Sequence, residues 1–342
     1  MKGVVFLGNR KTELRDFPDP TPGPRDVILE IKASGMCGSD LHVYRTPKER
    51  ENPNIAGHEP CGVVVEIGSG VSDKEARIGQ RVMDHHYEGC GVCRHCASGW
   101  GQMCLEGAVV YGAVGDGAHA NYMRVPVSTL VPLPDELSFQ SGAAISCGTG
   151  TAFGALRRLG LKGDETLVVF GQGPVGLSAT QLATVMGARV IALDISAERR
   201  VLAQQMGADV VLDPLAVDVV ATVHDLTHGE GADKTLDTSS NPEARAQAVR
   251  CTRAWGSCCY VGEGGDVSLN VSPDLIRRQI TLMGSWTFST VGQADCARFV
   301  ADRQIDVDSL FTDRWTLAQA EQAYQLFDQQ QCGKGVIFPN GE

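Results

Sequence analysis

The stretch Thr166-Leu167-Val168-Val169-Phe170-Gly171-Gln172-Gly173-Pro174-Val175-Gly176 decides the fold. Its first five residues are an uninterrupted apolar run, the mark of a strand buried on both faces of a sheet. The last six are G-x-G-x-x-G, which directly after a strand and at the start of a helix reads as a dinucleotide-binding turn. Gly171 permits the tight turn, Gly173 lets backbone approach a pyrophosphate, and Gly176 allows close helix–strand packing. A diphosphate then sits on the helix amino terminus, at Val175, where unpaired N–H groups and the helix dipole favour negative charge. Asp194 closes the next apolar run, Val190-Ile191-Ala192-Leu193. An acid there accepts hydrogen bonds from the adenosine ribose hydroxyls and repels a 2′-phosphate, so the site predicts NAD rather than NADP.

Downstream, Val210-Val211-Leu212, Thr235-Leu236, Cys258-Cys259-Tyr260-Val261 and Ile280-Thr281-Leu282-Met283 read as four further strands between helices. Six such strands predict an α/β, doubly wound parallel sheet. Upstream the texture differs. The first 135 residues are short β-rich segments, such as Val27 to Ala33 and Cys61 to Ile67, separated by proline and glycine as in Pro18, Pro20, Pro22, Gly23 and Pro24. That pattern predicts a barrel-like β domain with long loops. The last fifty residues read as helical and end in a strand, Gly335-Val336-Ile337-Phe338.

A chain of 342 residues holds about two domains. Its net charge of −11, with no basic block, is the wrong sign for a phosphate-backbone binder. Thr166 to Ala188 carries no charge, but turn formers and amides interrupt it, which excludes a membrane span. The apolar run within Met1 to Arg10 is too short for a signal peptide, and a cytoplasmic location is predicted.

Cys90-x2-Cys93-x2-Cys96-x7-Cys104 supplies four thiolates from one loop, enough to close a tetrahedral zinc site. A ferredoxin pattern would place a fourth cysteine four positions after the third, followed by proline. Here Ala97-Ser98-Gly99 follows Cys96 and Leu105 follows Cys104. A disulfide framework belongs to short chains without a sufficient core, so structural zinc is the reading. Cys37, His58 and Cys147 are further candidates, since two thiolates and an imidazole suit zinc and leave a fourth position open. Spacing alone does not join those three.

Together the motifs resemble the zinc-containing medium-chain dehydrogenase/reductase family, the alcohol dehydrogenases, over essentially the whole chain. The resemblance is carried by Cys37-Gly38-Ser39-Asp40-Leu41-His42, Gly57-His58-Glu59, the four-cysteine lobe, Cys147-Gly148-Thr149-Gly150-Thr151 and Gly171 to Gly176. It implies a GroES-like catalytic domain from residues 1–150, with 290–342 returning to it. A Rossmann NAD-binding domain would span 151–289, with the active site in the cleft. Two zinc ions per chain are implied: one structural, and one catalytic on Cys37, His58 and Cys147, with Glu59 beside it or transiently bound. By the same resemblance Ser39 takes the substrate hydroxyl proton, His42 passes it to solvent by way of the nicotinamide ribose, and Asp40 orients the histidine ligand. Thr151 and the Val261 backbone match positions near the nicotinamide, and Arg199 one near the adenosine ribose. His86 and Trp286 match positions lining the substrate pocket.

The implied activity is reversible NAD-linked oxidation of a primary or secondary alcohol, diols and polyols included, to an aldehyde or ketone. Zinc would serve as Lewis acid and the nicotinamide as hydride acceptor. A polyol, sugar-alcohol or L-threonine-type dehydrogenase of the same family is the alternative. A zinc-free quinone reductase would not need eight candidate ligands, and a non-catalytic NAD-binding protein would not need Ser39 and His42. The implied partner is a small alcohol or carbonyl compound, with neither nucleic acid nor membrane, in a homo-oligomer for which a tetramer is favoured over a dimer. Two departures stand out. Gly38 replaces the basic pyrophosphate contact of animal liver enzymes, and Cys147 replaces the glutamate of sorbitol-type enzymes, which argues against a polyol.

Overall fold

Thr166–Phe170 (β1) is a central strand of a six-stranded parallel sheet in the computed structural model, which describes residues 1–48, 50–329 and 333–341. The other strands are Arg189–Leu193 (β2), Val210–Leu212 (β3), Ala232–Asp237 (β4), Thr252–Tyr260 (β5) and Thr281–Gly284 (β6). They lie in the order β3-β2-β1-β4-β5-β6, every pair parallel. The expected doubly wound sheet is therefore present. The chain runs outward from β1 to β3 and then crosses back to β4, so the strand order reverses beside β1. Such a switch point opens a crevice at the carboxyl ends of the strands. Leu167 to Phe170 are fully buried, which is why β1 reads as a continuous apolar run. Val168, Phe170, Ile191, Leu193, Val249, Cys251 and Cys258 share one core. Burial pushes the Cys251 and Cys258 thiols up to about 12, so these two cysteines act as packing rather than as nucleophiles. β5 stops at Tyr260, and Val261, expected within that strand, instead turns to donate its N–H to the Asp237 carbonyl at 2.9 Å.

This sheet belongs to a unit spanning Thr151–Thr287, while Met1–Gly150 and Phe288–Glu342 form a second unit. The main sheet of the second unit has seven strands. Phe311–Trp315, Lys334–Ile337, Asp26–Gly35, Glu59–Ile67, Arg81–Asp84 and Leu130–Pro132 follow one another, and Tyr122–Pro126 also pairs with Asp26–Gly35. Phe311–Trp315 is a strand that the helical reading of the carboxyl-terminal fifty residues misses. Its centre is Thr312-Asp313-Arg314, and it lies at the sheet edge where a polar, half-exposed strand is tolerated. The final strand begins at Lys334, one residue before the expected Gly335.

Register brings the site together. Gly35 stands opposite both Glu59 and Val336, so the turn after Gly35, the residues before Glu59 and the start of the last strand converge. Among the described residues no helix is long and apolar enough to cross a membrane.

Candidate metal centre and dinucleotide site

Cys37 follows the strand Asp26–Gly35, His58 and Glu59 open the strand Glu59–Ile67, and Cys147 lies between the helices Phe139–Ile145 and Gly148–Leu159. The Ser146 hydroxyl, donating to the Pro60 carbonyl at 2.9 Å, pins the Cys147 turn against the Glu59–Ile67 strand. The ligand atoms of Cys37, His58, Glu59 and Cys147 then lie within 4.8 Å of one another, and all four residues are buried. Two distances test the fit to zinc. The Cys37 and Cys147 sulfurs are 3.8 Å apart, and the Cys147 sulfur is 3.5 Å from His58 Nε2. Bonds of about 2.3 Å to sulfur and about 2.0–2.1 Å to nitrogen give tetrahedron edges of about 3.8 and 3.5 Å. The three donors fit a zinc ion.

Asp40 sets the imidazole. Its Oδ1 accepts from His58 Nδ1 at 2.8 Å and its Oδ2 from the Cys37 N–H at 2.9 Å, which leaves Nε2 as the ligand atom. Burial would raise the Asp40 carboxyl, but the facing His58 outweighs it and holds the group at about 2. Donation from the Cys147 thiol lowers Cys37 well below the ordinary thiol range, and the same contact raises Cys147 well above it. Two thiols this close share one proton until a cation takes both as thiolates. Ser39 Oγ lies 3.2 Å from both Cys37 Sγ and His58 Nε2. His42 is exposed one helical turn further on; its backbone N–H donates to the Ser39 carbonyl at 3.1 Å, and no side-chain hydrogen bond joins the two among the described residues. His86 is buried, with its ring centroid 5.1 Å from that of His58, and its Nδ1 donates to the Ser146 carbonyl at 2.9 Å. Burial, with His58 nearby, keeps its imidazole neutral, well below the ordinary histidine range.

One functional residue escapes sequence reasoning. Lys334, 1% exposed, donates from Nζ to Glu59 Oε2 at 2.5 Å and to the Met36 carbonyl at 3.3 Å. Burial pushes the Glu59 carboxyl up while the Lys334 ammonium opposes that, and its Oε1 is buried with no hydrogen-bond partner beside the candidate metal ligands. A lysine at the head of an otherwise apolar strand is the only local signal. In the cysteine lobe the ligand atoms of Cys90, Cys93, Cys96 and Cys104 also lie within 4.8 Å. Cys90 N–H donates to Cys104 Sγ and Cys93 N–H to Cys90 Sγ, while Cys96 N–H and Leu105 N–H pull the Cys93 thiol down to about 6.

At the glycine turn, Gly171 has φ +86°, and a Cβ on Gly176 would lie 1.9 Å from the Gly171 carbonyl oxygen, so neither position tolerates a side chain. A Cβ on Gly173 would meet nothing within 4 Å, which is the open space a pyrophosphate needs. Gly173 caps the helix Pro174–Val185 (α1), with Pro174 and Val175 in its first turn. Asp194 accepts the Gln172 N–H at 2.6 Å and the Ser196 N–H at 2.8 Å, so it ties the glycine turn to the turn after β2. Arg199 is half-buried in the helix after β2, and Thr151 is buried. Trp286 is 43% exposed at the end of the Thr151–Thr287 unit.

Residues 23–135 match the alcohol dehydrogenase GroES-like domain, and residues 174–302 match the zinc-binding dehydrogenase domain. The chain is 39% identical to the zinc-type alcohol dehydrogenase-like protein YphC of Escherichia coli (strain K12), over 99% of each chain. It is 31% identical to the L-threonine 3-dehydrogenase of Symbiobacterium thermophilum, over 96% of this chain and 94% of that one. In structure it matches the alcohol dehydrogenase of Thermus sp. ATN1 with a TM-score of 0.91 at 26% identity, over 99% of both chains.

Proposed function

Because the chain belongs to the zinc-binding alcohol dehydrogenase family, and so is an oxidoreductase, we propose that it oxidises a small primary or secondary alcohol reversibly with NAD. The observation that carries this reading is the buried Cys37, His58 and Cys147 cluster, whose 3.8 and 3.5 Å edges are those of tetrahedral zinc. Zinc held there supplies Lewis acidity to an alcohol oxygen, and NAD on the glycine turn supplies the hydride acceptor. The protein's own part is placement and proton transfer. Asp40 fixes the ring of His58, and Ser39 Oγ, 3.2 Å from two ligand atoms, is placed to take the hydroxyl proton. His42, exposed in the next helical turn, carries that proton toward solvent. His86 adds a neutral imidazole whose Nε2 has no hydrogen-bond partner among the described residues. That supports an alcohol bearing a second polar group, as a diol or a hydroxy amino acid does. NAD rather than NADP rests on Asp194.

The test is zinc content followed by NAD reduction with simple alcohols, diols and L-threonine. Two zinc ions per chain are expected, with turnover on at least one of these classes and a loss of about 10²-fold or more in Ser39→Ala. Zinc-loaded protein that reduces NAD with no alcohol, or an unimpaired Ser39→Ala enzyme, would refute the reading.

A further inference from the structure

Behind Asp40 lies a chain of buried polar groups that the chemistry above does not use. Tyr324, on the helix Ala320–Asp328, donates its hydroxyl to Asp40 Oδ2 at 2.8 Å. His119 Nε2 lies 2.7 Å from the same hydroxyl, and Ser34 Oγ lies 2.7 Å from His119 Nδ1. Ser34, His119 and Tyr324 have no solvent exposure. The direction of every bond is fixed by chemistry. A carboxylate only accepts, so Tyr324 gives its proton to Asp40 and must accept from His119 Nε2–H; His119 Nδ1 is then bare and takes the Ser34 proton. Burial lowers the His119 imidazole to about 4 and raises the Tyr324 phenol well above its usual range, so neither group changes charge near neutrality.

The geometry is held from outside. The Tyr324 ring packs edge-on against Phe6 at 4.6 Å between centroids, with Tyr44 at 5.8 Å. The backbone of His119 is pinned by its N–H to the Ala56 carbonyl and by the Val4 N–H to its own carbonyl, both at 2.8 Å. Gly57, at φ +87°, is seated so closely that a Cβ there would stand 2.4 Å from His119 Nδ1. Asp40 thus accepts from three donors: His58 Nδ1, the Cys37 N–H and the Tyr324 hydroxyl. Two of those donors belong to metal ligands, and the third connects the carboxyl-terminal helix to them.

We propose that Tyr324 and His119 are positioning residues for the catalytic zinc, fixing the Asp40 carboxylate and through it the ring of His58. The inference rests on the reading of Cys37, His58 and Cys147 as a zinc site. Partners one layer behind metal ligands alter affinity by about 10–100-fold. Tyr324→Phe removes one oxygen from a ring that keeps its apolar packing. Tyr324→Phe/His119→Leu removes the imidazole that the single change would leave unpaired, exchanging it for the smaller buried hydroxyl of Ser34, which then loses its acceptor.

The measurement is zinc loss from the holoenzyme to a chelator. The four-cysteine lobe is an internal standard whose phase stays unchanged. Both variants are expected to release the other zinc about 10-fold faster or more, and the double variant to do so even where its melting temperature is near native. The effect of Tyr324→Phe should vanish in an Asp40→Ala background, because Tyr324 acts through Asp40. An unchanged release rate in either folded variant would overturn the proposal, as would an equal acceleration with Asp40 removed, which is what loosened packing gives. A native protein that holds zinc only in its lobe overturns the zinc-site reading itself, and the proposal with it.

Discussion

Asp194 has a structural role that the structure shows and a cofactor-selecting role that the proposal gives it. Sequence reasoning assigns it the exclusion of a 2′-phosphate, while the structure shows it accepting the Gln172 and Ser196 N–H groups at 2.6 and 2.8 Å. Replacing it by glycine therefore removes both the charge and the tie that holds the glycine turn. Arg200 offers no compensation as a phosphate ligand, because its guanidinium is already bound to the Asp194 and Ile195 carbonyls and to Asp213. Asp194→Asn keeps one acceptor and loses the charge. We expect Asp194→Asn to narrow the preference for NADH over NADPH by about tenfold or more, roughly the 1.4 kcal/mol that one tenfold step represents. Asp194→Gly should narrow it similarly but weaken both cofactors. Fluorescence titration with NADH and NADPH measures this, and a native protein that binds the two equally would remove the role assigned to the charge.

At the scale of elements, the parallel sheet is anchored at its entry as well as by its ladders. Asp233, at the start of β4, accepts the Thr166 N–H that opens β1 at 2.8 Å and pairs with Arg253 of β5 at 2.6 Å. Burial would raise its carboxyl, but the Thr166 N–H and the Arg253 guanidinium outweigh that and hold it below the usual range. A carboxyl lowered on folding stabilises the fold above its unfolded pKa, and the contribution disappears as pH falls through the folded value. Asp233→Asn sets an NH2 against one of the two donors and should cost about 1–2 kcal/mol at neutral pH. The gap in melting temperature from the native protein should hold from pH 8 to 5 and close below about 4, the reference carboxylate range; a gap that widens on acidification would contradict the assignment. Elements of this kind are legible in sequence when their burial is uniform. β1 and α1 announce themselves because a two-sided burial makes a solid apolar run and a phosphate turn demands glycines at fixed offsets. Phe311–Trp315 does not: its burial alternates, but Asp313 stands on the half-buried face between Phe311 and Trp315, so the apolar residues do not follow the two-residue period. The four-cysteine lobe is legible because its ligands sit on one loop. Cys37, His58 and Cys147 are joined only by resemblance, because strand register and a helix turn bring them together rather than spacing.

Across the whole molecule the least legible contacts are those between the two ends of the chain. Lys334 and Glu59 are 275 residues apart, and their buried ion pair has no local sequence signature. It forms because Gly35 stands between Glu59 and Val336 in the sheet, so closing the last strand delivers a lysine to the metal centre. Both side chains are essentially inaccessible, at 1% and 0% exposure. A buried pair offers little net stability over an apolar replacement, yet losing one partner leaves a charge in a dry site at a cost of about 3–5 kcal/mol. Lys334→Met should therefore lower the melting temperature of this unit by several degrees, at roughly 2–4 °C per kcal/mol for a domain of this size. Lys334→Met/Glu59→Gln should recover most of that loss, because the neutral amide no longer needs the lysine. A double variant as unstable as Lys334→Met would mean that the lysine acts by packing alone, through its stem and its place 5.4 Å above the Phe311 ring. Recovery in the double variant would instead make the last strand part of the electrostatics of the candidate metal centre, because that strand supplies the lysine that pairs with Glu59.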